Sequence, residues 1–325
     1  MRRAVKFIIE ETSQIGEIRR HLANWSYEVG ASEVLAEQIN IVINELATNI
    51  IKHARRGEII CTFSEDTLNV LAVDKGPGLD PRAFEDGFST HGTAGNGLGA
   101  IKRQSSFCDF YTAPGKGLVI MASFHVKAPV KSKYMIRGFS LPVNGETVSG
   151  DDWTCKSDGH ELKFMVADGL GHGLLAHKAS SEAVDEFNIS KNDSTVSDIE
   201  RIHGRLRSTR GAAVAVGYLD KEKGILEYAG LGNIAGAIIS GQSSKGLISF
   251  NGTAGISLRK TQNLAYPLPK DFVLVLHSDG LQTNWDLSPY QGILIRHPLI
   301  IAGVLYRDFN RGTDDVTVVV VKEND

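Results

Sequence analysis

The sequence predicts two α+β domains in tandem, and three observations carry that expectation. Its 325 residues leave room for two domains of ordinary size, each able to bury a core. In residues 1–126 helical and strand periodicities are mixed, whereas beyond residue 134 strands dominate. Between them, Lys127-Ala128-Pro129-Val130-Lys131-Ser132-Lys133 is short, basic and contains proline, as a linker does.

In the first domain, Val5–Ile9 reads as a strand. A helix follows Ser13, a candidate cap, and turns Ile15, Ile18, Leu22 and Trp25 inward until Gly30. Ser32 can cap a second helix, running to about His53, in which Ile39, Val42, Ile43, Leu46 and Ile50 keep one face apolar. Strands are expected at Glu58–Phe63, Leu68–Val73, Cys108–Thr112 and Leu118–Val126. Helices with a mostly antiparallel sheet make an α/β sandwich. In the second domain, strands are expected at Glu161–Ala167, Ala212–Leu219, Ile225–Leu231, Ala235–Ile239, Phe272–His277 and Val316–Val321. Helices are expected at Leu174–Phe187 and Pro298–Arg307.

Composition excludes several function classes. Hydrophobic residues are 42% and charged residues 22%, so the chain is an ordinary globular mixture. A net charge of -3 argues against a general nucleic-acid binder. No apolar run approaches the roughly 20 residues of a membrane span, and Val5–Ile9, broken by Lys6, is too short for a signal-peptide core. Cys61, Cys108 and Cys155 form no CxxC pair or disulfide framework, which points to a reducing cytoplasm.

Three motifs in the first domain can build a nucleotide site. The helix Asn44-Glu45-Leu46-Ala47-Thr48-Asn49 places Glu45 and Asn49 four apart, off the apolar face, where both can hold a hard cation or a water. Asp74-Lys75-Gly76-Pro77-Gly78 follows a strand; its carboxylate can accept from an adenine amino group, and its glycines let the backbone pass close to the base. Gly95-Asn96-Gly97-Leu98-Gly99 opens a helix whose amides favour phosphate. Each motif alone is weak, because such pairs and turns are commonly plain surface features. Their order resembles the GHKL ATPase family, with its Bergerat α/β sandwich. The small size and the run Gly97–Arg103 resemble its RsbT/RsbW serine kinases. By that resemblance Asn49 holds Mg²⁺ and Asp74 binds adenine. Gly76, Gly78, Gly95, Gly97, Leu98 and Gly99 complete the ATP site, and Glu45 is the catalytic general base.

In the second domain, carboxylates stand at element ends: Asp151-Asp152, Asp168-Gly169, Asp279-Gly280 and Asp314-Asp315. Carboxylates at the ends of packed strands can converge on hard cations that orient a hydroxide and hold a phosphate. The plain alternative is that each Asp-Gly is a turn, and His172 a loop residue. His53, His160 and His177 are expected on the surface or in packing rather than as ligands. The ordered set SGD, ADGLGHG, HSDGL and TDDVTV resembles the PPM-type phosphatases of the SpoIIE/RsbX branch, with their α-β-β-α sandwich. The resemblance assigns metal to Asp151, Asp168, the Gly169 carbonyl, Asp279 and Asp314, with Mn²⁺ or Mg²⁺ as cofactor. A one-residue register shift would exchange Asp151 with Asp152, or Asp314 with Asp315. No counterpart is visible of the phosphate-binding arginine of some larger PPM enzymes.

The combined expectation is a GHKL serine kinase-like domain at 1–126, a linker at 127–133 and a PPM phosphatase domain at 134–325. The chain would phosphorylate and dephosphorylate a protein partner, a STAS-domain antagonist of a bacterial partner-switching pathway, with partner state or domain contact keeping the reactions from cancelling. A homodimer is possible through the kinase-like domain; no nucleic acid or membrane is expected. The alternative is a nucleotide-dependent anti-sigma-type binding module fused to an active phosphatase.

Overall fold

The computed structural model describes residues 3–64, 66–79, 96–128, 132–158, 161–190, 194–220, 223–258 and 260–324. The first elements are β1 (Arg3–Ile9), α1 (Ile15–Glu28), α2 (Glu33–Asn49), β2 (Gly57–Phe63), β3 (Thr67–Asp74), α3 (Asn96–Gln104), β4 (Phe107–Thr112) and β5 (Leu118–His125). Next come β6 (Tyr134–Leu141), β7 (Asp151–Ser157), β8 (Glu161–Gly169), α4 (Leu174–Ile189), α5 (Thr195–Arg205), β9 (Ala212–Asp220) and β10 (Ile225–Leu231). The last are β11 (Ala235–Ser240), β12 (Ser243–Gly246), β13 (Leu264–Pro267), β14 (Val273–His277), α6 (Pro298–Phe309) and β15 (Val316–Glu323). None of the described helices is long and apolar enough to cross a membrane.

The chain forms two compact units that do not follow chain order: Met1–Pro129 with Pro289–Arg307, and Val130–Ser288 with Asp308–Asp325. In the first, an antiparallel sheet runs β1-β2-β3-β5-β4. Alternation along its strands sends Ile59, Cys61, Val70, Ala72, Ile120 and Ala122 to a core shared with Ile18, Leu22, Ile39, Val42, Ile43 and Leu46 of the helices. Ser32 caps α2, accepting from Leu35 N at 3.2 Å. Ser13 does not cap α1. A 3₁₀ turn at Thr12–Gln14 precedes the helix, and Ser13 donates to Glu11 Oε1 instead. The second helix also ends early: α2 stops at Asn49 and continues as a π-helical turn, Ile50–Ala54. Such turns accompany functional sites, because they widen one helix face.

The other sheet face is apolar too. Ile60, Leu71, Val73, Val119 and Met121 are buried there. Leu71 and Val119 meet Gly303 of α6, a helix buried along Pro298–Arg307. A helix apolar all round must be covered all round. The segment is pinned at its start by Asp109 of β4. Its Oδ2 accepts from His297 N at 2.8 Å, and its Oδ1 accepts from Arg296 Nη1 at 3.1 Å. A Cβ on Gly303 would lie 2.8 Å from Val119 Cγ1 and 3.0 Å from Leu71, whereas one on Gly204 of α5 would meet nothing within 4 Å. Gly303→Ala is therefore expected to lower stability by about 1–3 kcal/mol through overpacking. Gly204→Ala is expected to raise it by up to about 1 kcal/mol through helix propensity. Denaturant unfolding of both variants checks this, and a stabilised Gly303→Ala protein would contradict the close approach.

In the second unit two five-stranded antiparallel sheets stack, ordered β13-β10-β9-β8-β7 and β12-β11-β14-β15-β6. Phe164, Val166, Leu219, Tyr228, Ile238, Leu274, Leu276, Val319 and Val321 fill the space between them. Helices α4 and α5 cover the first sheet through Ala183, Phe187, Ile199 and Ile202, against Met165, Ala167, Val214 and Val216. Helix α5 and strands β6, β7, β12 and β13 add to the expected elements. In α5, Ser194 caps the helix, accepting from Ser197 N at 3.2 Å.

Candidate functional sites

The first site sits where α2 crosses the ends of β3 and β5. Asn49, Asp74 and Gly78 line a pocket with Leu46, Ile50, His53, Ala72, Pro77, Leu79, Leu118 and Ile120. An apolar slot with a few polar groups at its rim suits a flat heterocycle. Asp74 ends β3, and its Oδ1 accepts from Gly76 N at 2.8 Å and Leu118 N at 3.3 Å. Among the described residues its Oδ2 accepts nothing, which leaves one oxygen for an amino group. Burial raises its carboxyl above the ordinary range; those two N–H donors, and the charges of Arg307 and His53, pull it back. Gly78 has φ +82, and a Cβ there would lie 2.5 Å from Ala113 O, so no other residue fits that turn. Thr112 Oγ1 braces the same wall, accepting from Leu79 N at 2.9 Å and donating to Gly117 O at 3.1 Å.

The glycine-rich helix start meets the first motif directly. A Cβ on Gly97 would sit 2.7 Å from Glu45 Oε2 and 3.9 Å from Asn49 Oδ1. Glu45, Asn49 and Gly97 thus share one place, and Gly76 stands beside Asp74. Gly99 is buried on α3, while Leu98 packs its side chain into the core. Gly95 lies outside the described residues. Sequence reasoning missed His53, set in the pocket wall by the π-helical turn. It also missed Arg307, which reaches this unit from the far end of the chain.

The second site gathers carboxylates from four elements of the second unit. Asp151 of β7 stands opposite Asp168 of β8 in the antiparallel register. Asn233 Nδ2 donates to Asp168 Oδ2 at 3.3 Å and to Asp279 Oδ2 at 2.9 Å, so these two carboxylates flank one amide. Asp168 is pushed up to about 7, first by burial, then by the charges of Asp279 and Asp314. Asp151 is held well above its usual range by burial and then by Asp168, with the nearby Ser278 and Thr317 side chains pulling it back. Its Oδ2 is buried and has no hydrogen-bond partner. Gly169 follows Asp168 at the strand end, where a Cβ would lie 2.2 Å from Ala176 O.

The adjacent aspartates face elsewhere. Asp152 lies by α4, near His177 and Asp185, and burial raises it to about 6. Asp315 Oδ1 and Oδ2 accept from Val143 N and Gly150 N, each at 2.8 Å, so its carboxylate clasps two backbone segments. Asp314 stays partly exposed, accepting from Asp315 N at 2.9 Å. His172 pairs with Glu146 at 2.7 Å instead of joining the carboxylates.

Among the described residues no three such groups close into a ready metal shell. The donor set nevertheless fits a hard cation: Asp151 and Asp168 are raised first by burial and then by neighbouring carboxylates, and Asp151 Oδ2 is buried without a partner. Sequence reasoning missed Asn233, whose place between Asp168 and Asp279 comes only from folding.

The raised Asp168 carries a stability consequence. The folded protein keeps this proton until about pH 7, whereas the ordinary carboxyl value is 3.8. The group therefore favours the folded state at low pH, and that contribution fades as pH rises through 7. Metal-stripped protein is expected to lose thermal stability between about pH 4 and 7, and Asp168→Asn, which cannot ionise, to flatten that slope. Calorimetry in chelator reads this out; identical slopes in both proteins would refute the assigned cause.

Comparison with known proteins finds a family match in each half of the chain. Residues 9–123 match a family described as the histidine kinase-like ATPase domain. Residues 158–323 match the family of stage II sporulation protein E (SpoIIE). The phosphoserine phosphatase RsbX of Bacillus subtilis is 30% identical over 146 residues, 44% of this chain and 72% of the relative. The serine/threonine-protein kinase RsbT of the same organism is 34% identical over 105 residues, 30% of this chain and 79% of the relative. The crystal structure of RsbX in complex with magnesium superposes with TM-score 0.54 at 23% identity, covering 61% of this chain and 99% of that one.

Proposed function

The chain belongs to the SpoIIE family, with a histidine kinase-like ATPase domain ahead of the family region, and from that premise we propose a bifunctional regulator of a partner protein's phosphorylation. The phosphatase domain, residues 134–325 apart from the Pro289–Arg307 segment that belongs to the first unit, removes phosphate from a phosphoserine or phosphothreonine. The ATPase-like domain, residues 1–126, transfers phosphate from ATP to a Ser or Thr hydroxyl, and 127–133 join the two. The partner proposed is a STAS-domain antagonist of a partner-switching pathway, by analogy with RsbT and RsbX. Partner state is proposed to decide which reaction runs.

The observation that carries the reading is the setting of Asp168. It is partly buried opposite Asp151 and beside Asp279, and its carboxyl is raised first by that burial and then by the charges of Asp279 and Asp314. Asp151, Asp168, the Gly169 carbonyl, Asp279 and Asp314 would hold divalent cations, Mn²⁺ or Mg²⁺. When bound, the cations neutralise phosphate charge and activate water for in-line attack. Asn233 keeps Asp168 and Asp279 in register with each other. Asp315, by clasping Val143 and Gly150, fixes the start of the strand that carries Asp151.

In the other domain Asn49 would hold Mg²⁺ and the free Oδ2 of Asp74 would accept from the adenine amino group. The amides at Gly97–Gly99 would face phosphate, and Glu45 would take the proton of the attacking hydroxyl. Phosphate release from a phosphoserine protein tests the phosphatase half: turnover with Mn²⁺ or Mg²⁺, abolished by chelator. A folded protein inert with both metals would end this reading.

A further inference from the structure

Two arginines stand on the loops that carry the clustered carboxylates. Arg210 belongs to the turn entering β9. Its Nη1 lies 3.2 Å from the place a Cβ would take on Gly171, so the guanidinium covers the loop that follows Asp168. That turn is fixed. Leu170 N donates to Gly211 O at 3.0 Å, which ties the Asp168 loop to it. Thr209 Oγ1 accepts from Gly211 N at 3.0 Å and donates to Leu206 O at 2.8 Å. Arg210 is exposed, and among the described residues it makes no ion pair or hydrogen bond. Arg311 donates from Nη1 to Asp279 O at 3.1 Å, and its N donates to Gly280 O at 2.9 Å, so it is tethered to the loop of another carboxylate.

From this we infer that Arg210 binds the phosphate of the phosphoprotein substrate, with Arg311 as a second, tethered contact; the inference rests on the phosphatase reading above. A guanidinium offers paired donors that match phosphate oxygens, which the single ammonium of a lysine does not. A braced turn presents that fork at little entropic cost. The surroundings suit a protein rather than a small phosphate ester. Leu170 and Ile256 are 44% and 61% exposed, and Ile256 Cγ1 lies 3.1 Å from a Cβ position on Gly211. Apolar side chains beside a phosphate-binding arginine give a phosphoprotein surface something to rest on.

The test compares Arg210→Ala, Arg210→Lys and Arg311→Ala with the parent chain on a phosphoserine peptide with Mn²⁺. Inhibition by inorganic phosphate and Mn²⁺ affinity by calorimetry are measured alongside. Arg210→Ala is expected to raise KM and weaken phosphate inhibition, each on the order of tenfold. Mn²⁺ affinity and Tm should stay unchanged, and Arg210→Lys should recover part of the loss. Arg311→Ala is expected to show a smaller change in the same direction. Unchanged KM and phosphate inhibition in Arg210→Ala would overturn the inference, as would an equal loss of Mn²⁺ affinity. A parent chain without turnover would instead overturn the phosphatase reading itself.

Discussion

Asp168→Asn is expected to reduce phosphoserine hydrolysis by at least about a thousandfold, with the fold intact. Asp168 is where the charges meet: Asp151 opposite on the neighbouring strand, Asp279 across the Asn233 amide, and Asp314 near enough to raise its carboxyl. An amide in its place can still accept from Asn233 but brings no charge to a cation. The neighbouring aspartates make the prediction specific. Asp152→Asn is expected to keep most activity, because Asp152 lies by α4. Asp315→Asn is expected to act through the fold, because its two oxygens hold Val143 N and Gly150 N. Initial rates, Mn²⁺ titrations and thermal melts on the three variants separate these outcomes. Full activity in Asp168→Asn would remove the metal assignment.

The second large effect belongs to the other domain. Glu45→Ala is expected to lower phosphoryl transfer by about 10²–10⁴-fold while ATP still binds, as loss of a general base does. Asp74→Asn should show the converse, with ATP binding weakened by about tenfold or more. Oδ1 of Asp74 is already taken by Gly76 N and Leu118 N. The new amide nitrogen would then stand where Oδ2 was, a donor facing the adenine amino donor. Nucleotide titration beside a transfer assay distinguishes the pair. A Glu45→Ala protein that transfers phosphate at the parent rate would leave only a binding module.

Local rules made much of this legible. The spacing of Ile39, Val42, Ile43, Leu46 and Ile50 marked the buried face of α2, and all five are buried. The same period set Glu45 and Asn49 apart from that face. Four Asp motifs at strand ends marked where carboxylates could gather, since strand ends of a stacked sheet lie close together. What stayed hidden depended on partners distant in sequence. Asn233 reaches Asp168 and Asp279 only because β10 and β11 bring its turn there. Ser13 looked like a cap, but Gln14 Oε1 takes Glu10 N and Glu11 N and organises a 3₁₀ turn. The apolar sequence of α6 said that the helix is buried, not against what. Gly303, pressed on Leu71 and Val119, supplies that answer.

The central claim is that one chain both adds and removes phosphate on a partner. The most direct measurement follows label from γ-labelled ATP onto a purified STAS-domain partner, using the parent chain, Asp168→Ala and Glu45→Ala. The account predicts stable label on the partner with Asp168→Ala, none with Glu45→Ala, and lower standing label with continuing phosphate release for the parent. Equal labelling by the two variants would contradict it.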